Sequence, residues 1–350
     1  MRITTSPSVI EQSRRRLLGI GAAAIAAAPF CGVGSATAQS VEPHTPVINP
    51  PTSFPSLKQV EAGPLNIGYA EDGPADGSPV ILLHGWPYDI HAFAEVVPIL
   101  AGKGLRVIVP YLRGYGTTRF LSQITPRNGQ QAAFASDVLA LMDALGIQQA
   151  TLAGFDWGAR TACIVAALWP NRCRALASVS GYLIGNQEAG KSPLPPRVEL
   201  SWWYQFYFAT PRGQAGYEAS RRDFAKLIWQ TASPQWKFDE ATFARSAEAF
   251  DNPDHVGIVI HNYRWRLGLV DGERQYDALE ARLALAPVIT VPTITLEGEA
   301  NGAPHPEPAS YAGKFTGRYE HRLIGGSIGH NLPQEAPRDF AQAVLDCGTT

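Results

Sequence analysis

Gln149-Ala150-Thr151-Leu152-Ala153-Gly154-Phe155-Asp156-Trp157-Gly158-Ala159-Arg160 is the stretch on which the reading of this chain turns. Residues 149–154 form an apolar run of strand length, and residues 158–168 predict a helix that stops before Pro170. Between them, Gly154-Phe155-Asp156-Trp157-Gly158 has the G-x-S-x-G spacing of a nucleophile elbow, with aspartate at its centre. The glycines at 154 and 158 permit the sharp turn and close packing that such a joint needs. A bare G-x-D-x-G carries little weight, because aspartate also caps helices; the strand-turn-helix setting supplies the weight. A serine must lose a proton before it attacks a carbonyl, whereas an aspartate is already ionised at neutral pH and can attack a saturated carbon directly. The expected targets are therefore epoxides or alkyl halides, and not ordinary esters.

The pattern on either side alternates. Residues 65–69, 79–84 and 105–110 predict strands, with helices over 91–100 and 130–145. Beyond the elbow, residues 175–180, 290–296 and 319–323 predict strands and 337–345 a terminal helix. Such alternation implies an α/β fold with a mostly parallel sheet flanked by helices. Residues 182–287 interrupt it with helical patterns and the tryptophans 202, 203, 229, 236 and 265, which predicts an inserted helical cap. The expected organisation is a core over 58–181 and 288–350 with the cap at 182–287.

The first residues look like an address. Ser13-Arg14-Arg15-Arg16-Leu17-Leu18, an apolar stretch over 19–30 and Ala36-Thr37-Ala38 predict a twin-arginine signal peptide over 1–38, then an extended proline-rich leader over 39–57. The apolar stretch falls short of the roughly 20 residues that span a bilayer. The expectation is export to the periplasm or medium, with no stable membrane span after cleavage. Cleavage removes four arginines and one glutamate, taking the formal charge from −2 to −5. This mildly acidic chain has no electrostatic footprint for nucleic acid. The remaining cysteines, Cys163, Cys173 and Cys347, have no metal-like spacing and are expected to be buried thiols, with one disulfide as the alternative. No metal or cofactor is expected.

Two further motifs converge on the elbow. His84-Gly85-Trp86-Pro87 follows a strand one βαβ unit upstream, where the loop supplies one backbone N–H of an oxyanion hole and Trp157 the other. His330 lies in Gly325-Gly326-Ser327-Ile328-Gly329-His330-Asn331-Leu332-Pro333 after the last strand, the place in chain order of a catalytic base.

With these parts the chain resembles the α/β-hydrolases of the epoxide hydrolase and haloalkane dehalogenase group over roughly residues 58–346. Trp203-Tyr204-Gln205-Phe206-Tyr207-Phe208 is similar to the Tyr-Gln-x-Tyr-Phe cap segment of soluble epoxide hydrolases, and His261-Asn262-Tyr263-Arg264-Trp265 to the segment bearing their second tyrosine. The resemblance implies that Tyr204 and Tyr263 donate hydrogen bonds to an epoxide oxygen, Asp156 is the nucleophile and His330 the general base. For a halide, Trp86 and Trp157 occupy the positions of leaving-group and substrate contacts. Fluoroacetate dehalogenase places arginines one and four residues after the aspartate; here these are Trp157 and Arg160. Arg160 is expected in a structural ion pair on its helix, with a substrate carboxylate as the alternative. The family's acid in a G-x-x-D turn is replaced in Gly298-Glu299-Ala300-Asn301, which leaves Glu299 and Asn301 as candidates for orienting His330. Three readings follow: an epoxide hydrolase acting on an apolar small molecule, a hydrolytic dehalogenase with the same nucleophile, and a binding protein that has kept the fold without turnover.

Overall fold

The structure, a computed structural model, describes residue 54 and residues 56–348; the expected signal peptide and nearly all of the leader lie outside the described residues. Among the described residues nine strands form one sheet: β1 (Lys58–Ala62), β2 (Leu65–Asp72), β3 (Ser78–Leu83), β4 (Leu105–Pro110), β5 (Arg119–Phe120), β6 (Ala150–Gly154), β7 (Cys173–Val179), β8 (Thr293–Gly298) and β9 (Tyr319–Ile324). Their spatial order is β1-β2-β4-β3-β6-β7-β8-β9, with β5 beside β2. From β4 through β9 neighbouring strands are parallel, while β2 runs antiparallel to β1, β4 and β5.

The chain steps from β3 to β4 on one side and then crosses to β6 on the other. Such a reversal leaves a crevice at the carboxyl ends of the two diverging strands. Leu83 at the end of β3 pairs in register with Gly154 at the end of β6. The residues that follow, His84 to Trp86 and Phe155 to Asp156, therefore leave the sheet side by side.

All five residues of β6 are buried, as the continuous apolar pattern of a doubly covered strand requires. Helices α1 (Val96–Ala101), α2 (Gln131–Ala144) and α3 (Trp157–Leu168) follow β3, β5 and β6 in turn. Among the described residues the path from β7 to β8 carries helices and no strand: α4 (Gln187–Gly190), α5 (Pro196–Ser201), α6 (Trp203–Phe208), α7 (Pro211–Ala232), α8 (Glu240–Ala247), α9 (His255–Arg266) and α10 (Asp277–Ala284), with two 3-10 turns. Thr210 caps α7 by accepting the Gly213 N–H at 2.9 Å, with Pro211 in the first turn, where its missing donor is no loss. The chain ends with α11 (Pro308–Tyr311), α12 (Leu332–Glu335) and α13 (Pro337–Gly348). In the core, α2 packs on α3, and α1 on α13.

The local departures from the sequence pattern have identifiable causes. The helix expected over 91–100 is divided: Asp89 accepts the His91 N–H and caps a 3-10 turn over Ile90–Phe93, and α1 begins only at Val96. β8 starts at Thr293 and not at 290, because Pro292 has no N–H to donate and Ile289 makes only an isolated bridge to Phe315. Cys163, Cys173 and Cys347 are free and buried. Among the described residues no helix is long and apolar enough to cross a membrane.

Candidate active site

Asp156 stands between β6 and α3 with φ 52° and ψ −122°. A non-glycine residue in that region costs about 1–3 kcal/mol and persists only where its surroundings over-determine it. Here they do. A Cβ on Gly158 would lie 1.9 Å from the Leu83 carbonyl oxygen, and one on Gly154 would lie 2.7 Å from the same atom. A Cβ on Gly85 would strike Asp156 itself, 2.4 Å from its Cβ and 2.5 Å from Oδ1. Three glycines thus let two strand ends and a helix start converge on one carboxylate.

The loop after β3 is fixed from beneath. His84 is fully buried, and its Nε2 accepts the Leu112 N–H at 3.1 Å. That places its proton on Nδ1, which donates to the Gly85 carbonyl at 3.0 Å. Burial pulls the His84 imidazole down to about 4, so it is a neutral strut at physiological pH. Above it, the Trp86 N–H donates to Asp156 Oδ1 at 2.8 Å. Trp157 is the first residue of α3, where a backbone N–H has no intrahelical acceptor. These are the two amides expected for an oxyanion hole.

Burial pushes the Asp156 carboxyl up, but facing His330, the Arg160 guanidinium and the Trp86 N–H together outweigh it and hold the group below the usual aspartate range. His330 Nε2 lies 3.8 Å from Asp156 Oδ2, an ion-pair distance longer than a hydrogen bond. The histidine is held mainly through its backbone. Ser233, just beyond the end of α7, accepts the His330 N–H at 2.9 Å and donates to Glu335 Oε1 at 2.6 Å. Glu335 also accepts the N–H groups of Gly329 and Asn331.

Neither candidate for orienting the imidazole reaches it. His330 Nδ1 is buried and has no hydrogen-bond partner among the described residues. Glu299 is exposed. Asn301 turns to a carboxylate that sequence reasoning missed: its Nδ2 donates to Glu297 Oε1 at 2.7 Å, and its Oδ1 accepts the Ala303 N–H at 2.9 Å. Glu297 is 5% exposed at the end of β8, and the signal for it was an acid inside the otherwise uncharged strand Thr293-Ile294-Thr295-Leu296-Glu297-Gly298. An acid expected in the turn thus sits on the strand, where it holds the turn's amide.

The tyrosines arrive from the helical insertion, Tyr204 on α6 and Tyr263 on α9. Their rings meet edge to face with centroids 5.3 Å apart, and each lies 5.2 Å from the Trp86 ring. Burial, with the Asp156 charge adding to it, pushes the Tyr204 hydroxyl up to about 12; burial, Tyr204 and Asp156 push Tyr263 well above its ordinary value. Both are therefore protonated donors at neutral pH. A cavity of about 750 Å³ is lined by Trp86, Asp156, Arg160, Tyr204, Tyr263, Arg266 and His330 among others.

Two expected contacts are arranged differently. The indole of Trp157 stacks behind Trp86, ring centroids 6.4 Å apart, and Trp157 is not among the residues lining the cavity. Trp86 does line it, but its indole N–H is engaged with the Tyr217 hydroxyl at 2.8 Å. Arg160 forms no ion pair with a carboxylate among the described residues; its Nε donates to the Leu183 carbonyl at 3.1 Å. Arg266, which no motif had singled out, lines the same cavity, and its charge bears on Arg160.

Comparison with known proteins agrees with the fold. The family model described as alpha/beta hydrolase fold matches residues 78–227. Among curated proteins, an epoxide hydrolase B of Mycobacterium tuberculosis is 34% identical over 157 residues, covering 41% of this chain and 43% of that protein. A haloalkane dehalogenase of Mycolicibacterium paratuberculosis is 32% identical over 191 residues, covering 53% and 60%. The chain thus spans about half the length of these curated relatives, between 43% and 60%. A crystal structure of a "putative epoxide hydrolase" from Klebsiella pneumoniae is 67% identical with a TM-score of 0.84, covering 85% of this chain and 98% of that one. With the elbow, the sheet and a 67% identical structure covered to 98% of its length, the chain belongs to the α/β-hydrolases, in the group that holds epoxide hydrolases and haloalkane dehalogenases.

Proposed function

We propose that the protein is a hydrolase that opens an epoxide to a vicinal diol through an alkyl ester on Asp156. The observation that carries this reading is the pair of protonated phenols, Tyr204 and Tyr263, in the cavity that Asp156 faces. In the first step a carboxylate oxygen of Asp156 bonds to a ring carbon and the ring C–O bond breaks. The released electron pair on oxygen takes a proton from one of the phenols. A positioned general acid of this kind contributes about 10²–10⁴-fold.

In the second step water attacks the carbonyl carbon of the ester and gives a proton to His330 Nε2. The Trp86 and Trp157 N–H groups hold the oxyanion. Collapse expels the second alkoxide, which takes the proton from His330, and the acid left on Asp156 returns its own proton to the phenolate. That last transfer runs downhill, because the site holds Asp156 below the usual aspartate range. The sum is one epoxide and one water to one diol.

Step one does not use His330 as a base and step two does. With no partner on Nδ1 among the described residues, the imidazolium lacks the carboxylate that usually stabilises it. Ester hydrolysis is therefore the slow step. The halide reading is less well supported, since the indole N–H of Trp86 is committed to Tyr217 and Trp157 does not line the cavity. Export through the twin-arginine pathway is part of the same proposal, on the motif at Arg14-Arg15-Arg16.

Turnover of an epoxide panel in ¹⁸O water, followed by mass analysis of the Asp156 peptide, tests the route. Label in that carboxylate is expected, and His330→Gln should leave an alkylated Asp156 that does not clear. Diol formation without label would reject the ester, and halide release without epoxide opening would move the protein to the dehalogenases.

A further inference from the structure

Trp86 presents its backbone N–H to Asp156 Oδ1 from a loop beyond β3, outside every strand and helix, so no ladder of backbone bonds fixes that donor. A closed circuit of five buried hydrogen bonds surrounds it instead. On one side the Leu112 N–H donates to His84 Nε2 at 3.1 Å, and His84 Nδ1 donates to the Gly85 carbonyl at 3.0 Å. On the other side the Trp86 indole N–H meets the Tyr217 hydroxyl at 2.8 Å. That hydroxyl lies 2.8 Å from His255 Nε2, and His255 Nδ1 lies 2.9 Å from the Gly114 carbonyl. Leu112 and Gly114 stand two positions apart on the loop after β4, which closes the circuit. The Tyr115 ring packs edge to face against both imidazoles, with centroids 4.7 Å from each.

Every proton on the Tyr217 side has one place. A carbonyl only accepts, so the Gly114 oxygen requires the proton on His255 Nδ1. Burial pulls that imidazole down to about 3, so it is neutral and its Nε2 accepts the Tyr217 O–H. The Tyr217 oxygen then accepts from the indole, which can only donate. Tyr217 and His255 are fully buried and come from α7 and α9, in the helical insertion. Breaking any link leaves a buried polar group without its partner, which is costly.

We propose that Tyr217 and His255 are positioning residues for the Trp86 amide: by fixing the far end of a rigid indole they fix the backbone N–H that faces Asp156. This rests on the ester route proposed above. Oδ1, tied to the Trp86 N–H, stays behind as the ester carbonyl oxygen while the other carboxylate oxygen bonds to carbon. Its charge falls as the ester forms and returns when water adds to the carbonyl carbon. A donor held at that oxygen therefore matters most in the second step, where the charge develops. The insertion then serves both steps, Tyr204 and Tyr263 in ring opening, Tyr217 and His255 in release of the ester.

Single-turnover mass analysis of the Asp156 peptide, with styrene oxide as the probe, separates the two steps. Tyr217→Phe and His255→Phe are each expected to slow ester release about tenfold and to leave its formation within about twofold. Trp86→Phe removes the indole N–H, so adding Tyr217→Phe to it should slow release no further. Residues that only brace the packing would change stability and neither step, or both steps alike. Either result would overturn the proposal, as would slowing in Tyr217→Phe with none in His255→Phe. Should Trp86→Phe fail to fold, the release-to-formation ratios of the two single variants decide.

A measurement without turnover keeps the positioning role and the reaction apart. In protein labelled with ¹⁵N-tryptophan, Trp86→Phe identifies the indole and backbone signals of residue 86, and both are expected to shift in Tyr217→Phe. An indole shift with an unmoved backbone amide would overturn the positioning role even if epoxides are opened. A shift of both signals with no epoxide opened would keep that role and reject the reaction.

Discussion

The two halves of the candidate active site are built to different standards. On the nucleophile side, three glycines let the strand ends and helix start close on Asp156, a neutral buried histidine ties down the neighbouring loop, and the Trp86 N–H donates to the carboxylate. On the base side, His330 hangs from a loop by its own N–H, with a serine and a glutamate holding the main chain and nothing among the described residues holding Nδ1. The contrast follows the chemistry. Attack on a strained ring needs a fixed direction, whereas activation of water needs only that the imidazole be near and able to accept a proton. On the proposed ester route, this imbalance favours formation of the ester over its release.

The comparison can be broken most forcefully at Gly158. Gly158→Ala puts a methyl group 1.9 Å from the Leu83 carbonyl oxygen, and backbone must shift to admit it. The expected outcome is destabilisation above about 3 kcal/mol in urea unfolding, with loss of turnover. A variant that folds with normal stability would show that the joint is less constrained than its geometry says.

Acid sharpens the comparison next, because it attacks the strut of the nucleophile side. His84 is pulled from 6.5 to about 4 by burial, and His255, hydrogen-bonded to Tyr217 and Gly114, to about 3. The unfolded chain binds these protons first, so stability is full above about pH 6.5 and falls as the pH drops toward 4. At about 1.4 kcal/mol per unit, His84 alone accounts for about 3 kcal/mol. Urea midpoints measured between pH 7 and pH 4 should fall accordingly, and a flat profile would remove His84 from its role.

The smallest effect is expected at Ser233→Ala, which takes from His330 and Glu335 their shared hydroxyl. Stability should drop by about 1–2 kcal/mol. Release of the ester should slow more than its formation, so that single-turnover mass analysis finds more alkylated Asp156 than in the wild type. Equal slowing of both steps would mean that Ser233 supports the fold and not the base.

What the sequence makes legible divides along the same line. The elbow is local: strand, turn and helix lie within about twenty consecutive residues, and their periodicities and glycines are visible in one window. The support of His330 is not local. Ser233 lies 97 residues before it, and the Asn301 amide is turned away by Glu297, four residues back across a strand end. A G-x-x-D template directs attention to Glu299 and Asn301 and passes over the buried acid that holds the second of them. Arg266 escaped for a related reason, since an arginine in the last turn of a helix has an ordinary explanation in the helix dipole. β1, with its pattern Lys58-Gln59-Val60-Glu61-Ala62, and the two-residue β5 were missed because polar edge strands carry little apolar signal.

The left-handed backbone at Asp156 links catalysis to cooperativity. That conformation survives only while the packing of β3, β6 and α3 imposes it, so no partly loosened form of the core should keep the carboxylate aimed. Heating should therefore abolish the proposed activity with the first loosening of this joint, at or before global melting of the sheet.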